Sequence, residues 1–258
     1  MIYSEKEIEV LREGGRLLAI VLKELADQVK PGVSTVELNA LAERRIKEAG
    51  GSPSFLGYQG NLSAIPFPSS LCASINSEVV HGPAWPSRIL REGDIIGLDL
   101  GMRYPKDEGL CTDMAVTVGV GKISSTAARL IRVTKGALEK GIARARAGNR
   151  VNDIGEAIQK HTEKFGFSVV RELSGHGVGR NVHEDPEIPN FIVSGAIGDR
   201  LLDVGTVIAV EPMINAGSPN VRTQRDQWTV TTSDQTLSAH FEHTIAVTKD
   251  APLILTRL

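Results

Sequence analysis

Cysteine is scarce in this sequence: Cys72 and Cys111 are the only two. Two such residues make no disulfide framework and lack the paired spacing of a zinc ribbon or a CxxC redox site, so a reducing cytosol is the expected setting. Long apolar runs are also missing. The amino terminus, MIYSEKEIEVLREGG, is charged, and no later stretch is long enough to span a bilayer, which leads us to expect a soluble, unexported, cytoplasmic chain. Neither sign of charge dominates. A net charge of −2, with acids and bases intermixed, leaves no basic stripe for nucleic acid. No GxSxG motif offers a serine nucleophile. His183-Glu184 is followed by Asp-Pro-Glu, not by the second histidine of an HExxH zinc peptidase. No heptad seam is evident, so a monomer is expected.

What is present is a repeated order. Ser4 with Glu7 and Ser34 with Glu37 have capping-box spacing, and each pair opens an apolar pattern of helical period. The first helix is expected to end at Pro31-Gly32 and the second at Gly50-Gly51. The stretch at 31–51 then matches 147–167 in pattern, an offset of 147 − 31 = 116, and GDIIGLD (93–99) resembles GTVIAVE (205–211). We read one catalytic domain, 1–258, made of two related halves of about 1–120 and 121–258.

Related halves put acids in matching places. Asp99 and Glu211 end the two similar strands, while Asp113 (DMAVTVGVG) and Glu242 (EHTIAVTKD) each open an apolar strand. Four carboxylates meeting in a partly desolvated interior would repel, and two divalent cations would neutralise them. His176, within SGHGVGRNVHEDP, is placed to add one nitrogen donor. The glycines at 175, 177 and 179 are expected to let its backbone come close to the metals. An oxygen-rich set with one imidazole suits Mn, Fe or Co better than a thiolate-rich structural zinc site would.

The motifs SEVVHG (77–82), GLDLG with CTDMAVTVG, GHGVGRNVHEDP, AVEPMINAG (209–217) and LSAHFEHTIAVT (237–248) together resemble those of bacterial type I methionine aminopeptidases, from the first helix to the last strand. The resemblance implies the α/β (α+β) pita-bread fold, with central antiparallel sheets and helices outside. It implies a dinuclear centre of Co, Mn, Fe or Zn on Asp99, Asp113, His176, Glu211 and Glu242. It also implies removal of the initiator methionine from nascent chains with a small second residue, by attack of a water bridging the two metals. The ribosome is a candidate partner.

By the same resemblance His81 lies near the scissile amide nitrogen, His183 hydrogen-bonds the carbonyl oxygen, and Glu211 accepts the water proton. Tyr58, Cys72, Trp228 and Phe55, with Val182 nearby, would form the methionine pocket. His161 reads as structural, and His240 and His243 flank Glu242. Two departures stand out. Asp99 and Asp113 are 113 − 99 = 14 positions apart, farther than is usual, so the extra residues belong in the turn RYPKDEG, with Asp107 as the competing ligand. The segment 60–72 is long and carries Asn61 where an aromatic is expected. Two rival readings are a proline-specific peptidase of the same fold and a non-catalytic binding module built on it.

Overall fold

The computed structural model describes residues 1–60 and 65–258, so Asn61 lies outside the described residues. Both expected capping boxes form. Ser4 caps α1 (Glu5–Asp27) and Ser34 caps α2 (Thr35–Glu48), each with the side chain of the third helical residue reaching back to the cap amide. Helix α1 stops one turn short of Pro31-Gly32. The intervening residues turn the chain so that the Gly32 amide donates to the Leu90 carbonyl. In the second half come α3 (Ser125–Ile142) and α4 (Val151–Lys164). No helix among the described residues is long and apolar enough to cross a membrane.

Both helix pairs cover a central antiparallel sheet of nine strands among the described residues. Leu18, Leu22 and Leu25 of α1 pack with Leu38 and Ile46 of α2 against Leu98, Leu100 and Met102 of the strand Ile95–Tyr104. Leu130 and Ala137 of α3 and Ile154 and Ile158 of α4 pack against Ile208, Val210 and Ile245. Burial at about 25 cal/mol per Å² of apolar surface drives both assemblies. This is the pita-bread fold, a mixed α/β architecture with antiparallel sheets.

Strand register carries the acids to one place. Cys72 pairs with Asp99, Asp99 with Ala115, and Ala115 with Glu242, so these four form one row across the sheet. Neighbours in such a row share a face, and residues two apart along a strand share it as well. Asp113 therefore projects with the row, while Leu98, Leu100 and Met114 point back toward the helices. Glu242 opens the strand Glu242–Ala246, which joins the halves by pairing with both Leu110–Gly119 and Val207–Val210. Beyond Glu211 and before Glu242 the same two chain segments leave this sheet for a smaller one, in which Met213 pairs with His240. Both glutamates thus stand where the strands change sheets, a corner that aims side chains into the gap.

Candidate metal centre and substrate pocket

His176 owes its aim to an irregularity. The strand Ser174–Gly177 pairs with Glu184–Pro189, and the register shifts between Gly175 and Gly177. A bulge of this kind redirects the residue within it. The imidazole Nδ1 lies 2.9 Å from the Gly177 carbonyl, which suits a Nδ1–H donor and leaves Nε2 toward the acids. Nε2 is 3.4 Å from Glu211 Oε1 and 4.0 Å from Asp113 Oδ2.

The expected reason for the neighbouring glycines is corrected by the structure. A Cβ on Gly175 would strike the Ala209 carbonyl, one on Gly177 the backbone of Asp185, and one on Gly179 the Tyr3 hydroxyl. Along a strand, residues on either side of His176 face away from it. The missing side chains make room for adjoining strands and for Tyr3, and not for metals.

The five expected ligands lie together. Asp113 is fixed by Thr244, whose hydroxyl accepts from the Asp113 amide at 2.9 Å and donates to its carbonyl at 2.8 Å. Asn190 donates to the Glu211 carbonyl at 3.1 Å. Burial lifts the Asp99 carboxyl well above the ordinary range, and the charges of Asp113 and Glu211 push the same way. Burial takes Asp113 up to about 7 against the opposing effect of its hydrogen bond with Asp99. Glu211 and Glu242 are raised first by burial and then by their acidic neighbours. In the protein alone burial, reinforced by like charges, shifts these acids toward their protonated forms.

A metal fits this set. Among the described residues Asp99 Oδ1, Glu242 Oε1 and His240 Nε2 are buried without a hydrogen-bond partner, an expensive arrangement unless something else is bound there. Burial also holds the His176 imidazole down to about 4, in the neutral form that coordinates cations. Asp107, the competing candidate, is exposed in the turn beyond Tyr104, and the two hairpin strands hold Asp99 and Asp113 on the metal face without it.

A cavity of about 280 Å³ opens beside the acids. Phe55, Tyr58, Cys72, Trp228, His81 and His183 line it as expected, but Val182 does not and packs in the cluster behind. Phe67 does line it, although the sequence reading did not assign it to the pocket. Its ring centroid lies 5.2 Å from that of Trp228 and 6.5 Å from that of Phe55. The chance to find it lay in the FPSSLC run just before Cys72. Gly101 matters here, because a Cβ would come within 2.7 Å of the Phe55 ring.

His81 sits at positive φ, +59°, a conformation that a non-glycine residue adopts at a cost and that functional sites often retain. Burial presses its imidazole down to about 4. His183 stands exposed at the cavity mouth, between His176 at 4.4 Å and Tyr58 at 5.0 Å, centroid to centroid. Desolvation on its inner side and then His176 lower its pKa. His161 is outside the site and packs across Gly136 of α3 and beside Phe165. His243 points to the opposite face of the sheet, where Nδ1 meets the Thr256 hydroxyl at 2.9 Å. His240 is inside, which its spacing of two from Glu242 would permit.

Buried carboxylates, a neutral imidazole and an adjoining apolar slot on a pita-bread scaffold define a metallopeptidase. The model of metallopeptidase family M24 matches residues 9–249, and the chain belongs to that family. Within it the likeness is to methionine aminopeptidases. "Methionine aminopeptidase 1" of Bacillus subtilis (strain 168) is 47% identical over 255 residues, 99% of this chain and 98% of that protein. The crystal structure of methionine aminopeptidase from Thermotoga maritima superposes with a TM-score of 0.93 at 37% identity, covering 100% of this chain and 99% of that one. Prolidase from Pyrococcus furiosus, at 19% identity and a TM-score of 0.78, covers 100% of this chain and 65% of its own, and shares the fold alone.

Proposed function

We propose that this chain is a metal-dependent aminopeptidase that removes the initiator methionine from nascent polypeptides whose second residue is small. The observation that carries the reading is the meeting of Asp99, Asp113, His176, Glu211 and Glu242 at the wall of a cavity lined by Phe55, Tyr58, Phe67, Cys72 and Trp228. Two divalent cations, of Co, Mn, Fe or Zn, would be held by those five residues and would supply Lewis acidity that polarises the peptide carbonyl and makes water a better nucleophile.

The protein's own groups do the rest. The aromatic slot takes the unbranched thioether side chain, for which sulfur–ring contacts add modestly to apolar burial. His183, neutral at working pH, donates a hydrogen bond to the carbonyl oxygen as charge develops on it. A donor of that kind is commonly worth about 2.7–4 kcal/mol of barrier. His81 faces the leaving amide nitrogen, and Glu211 takes the proton of the attacking water. The chain works in this proposal as one catalytic domain, 1–258, monomeric and cytoplasmic, on polypeptide N-termini at the ribosome.

A peptide panel tests the proposal. After chelation and restoration with Mn, Fe, Co or Zn in turn, Met-Ala-Ser is expected to be cleaved only with metal, and Ala-Ala-Ser and Met-Lys-Ser to remain intact. Preference for an Xaa-Pro peptide would replace the reading with a proline-specific activity on this fold. Cleavage of nothing under any metal would leave a binding module.

A further inference from the structure

Among the described residues, two groups bring metal-ligating atoms within 4.8 Å of one another: Asp113, His176 and Glu242, and Glu211, His240 and Glu242. Only the first lies wholly within the five-residue set. The second adds His240, whose side chain is as enclosed as any in the site, with 2% of its surface exposed. Its Nε2 lies 3.3 Å from Glu211 Oε2 and 3.9 Å from Glu242 Oε2. Neither approach has hydrogen-bond geometry, and Nε2 is left without a partner, as is Glu242 Oε1.

The backbone on which His240 rides is not free to turn the ring elsewhere. The Thr117 hydroxyl accepts from the His240 amide at 2.9 Å and donates to the His240 carbonyl at 2.8 Å, a clamp from the opposite half of the chain. Glu211 consequently has an imidazole nitrogen on each oxygen, His176 at Oε1 and His240 at Oε2. A histidine meant only to orient Glu211 would be expected to donate a well-aligned hydrogen bond to it. A nitrogen that converges with two carboxylates, and bonds to neither, is arranged as a donor to a cation.

We propose that His240 is a direct metal ligand, adding its nitrogen to the donors that Glu211 and Glu242 offer a cation. The inference rests on the metal-centre reading above. Its chemical consequence is a second imidazole in the centre, which moves the donor set from nearly all oxygen toward the mixed nitrogen and oxygen sets that suit Zn and Fe.

Proton NMR of the Co(II)-loaded protein tests it without any variant, through the count of hyperfine-shifted, solvent-exchangeable imidazole N–H resonances. Two are expected in the wild type and one in H240Q. Calorimetric titration with Co(II) should show one equivalent weakened in H240Q by more than the roughly 10- to 100-fold that loss of an outer hydrogen-bond partner costs. A single resonance in the wild type, kept in H240Q, would overturn the proposal and leave His240 as a neighbour of Glu211. No shifted resonance at any cobalt load would overturn it together with the metal-centre reading, so the two failures are distinguishable.

Discussion

Substituting Gly177 by alanine probes how His176 is held in place. The added Cβ would lie 2.6 Å from the carbonyl carbon of Asp185, in the segment that pairs with this strand. Carbon atoms at rest sit about 3.5 Å apart or more, so the strands must separate by roughly 0.9 Å. Both sides of the gap are backbone, with no flexible side chain to yield. Overpacking of this kind costs about 1–3 kcal/mol, which for a chain of this size lowers Tm by roughly 2–12 °C. Because His176 and His183 flank the separated residues, a displacement near 1 Å should also cost on the order of 100-fold in kcat/KM. Gly97→Ala is the control, since its Cβ would meet nothing closer than 3.7 Å. That variant should keep wild-type turnover and stay within about 0.5 kcal/mol of wild-type stability. Thermal unfolding and hydrolysis of Met-Ala-Ser, measured on both variants with metal restored, decide the matter. Wild-type turnover and Tm in Gly177→Ala would refute the claim that close strand approach fixes His176.

Other outcomes follow from the same geometry. Asp113→Ala should abolish metal-dependent turnover and weaken metal binding by calorimetry, while Asp107→Ala, at an exposed turn, should leave both near wild type; the reverse would mean that the hairpin is misread. Gly101→Ala should push the Phe55 ring into the slot and raise KM for methionyl peptides more than it lowers kcat; a change in kcat alone would contradict this. The metal-free protein should lose stability toward urea as pH rises from 6.5 to 8. Asp113 is raised from 3.8 to about 7, and an acid raised on folding stabilises below its unfolded pKa and loses that contribution as pH climbs through its folded one. The buried histidines, lowered from 6.5, are neutral in both states above that pH and add little slope in this window. The decline should approach about 1.4 kcal/mol per pH unit for each proton retained, and metal should flatten it. A metal-free stability that rose over this range would show that the acids are not crowded.

Much of this site was legible because carboxylates at the ends of similar apolar strands announce where a sheet delivers them. Asp113 could be preferred to Asp107 on chemistry visible in the sequence: an apolar strand follows the first and turn residues surround the second. The capping boxes at Ser4 and Ser34 are local, and they formed as spaced. The misreadings involve partners distant in sequence. Nothing near Gly177 reveals that the backbone of Asp185 comes alongside, so the sequence alone points this glycine toward the metals. Phe67 becomes a pocket wall only through its contacts with Phe55 and with Trp228, far along the chain. His240 and His243 look equivalent beside Glu242 until the strand places one at the acids and the other at Thr256.

The central claim is that acids from both halves of the chain, with His176, hold divalent ions beside the apolar slot. An anomalous-difference map from a crystal soaked in Mn tests this most directly. Two peaks among Asp99, Asp113, His176, Glu211 and Glu242 are the predicted result. A map without peaks there at saturating Mn, or with Mn only at surface carboxylates, would contradict the account.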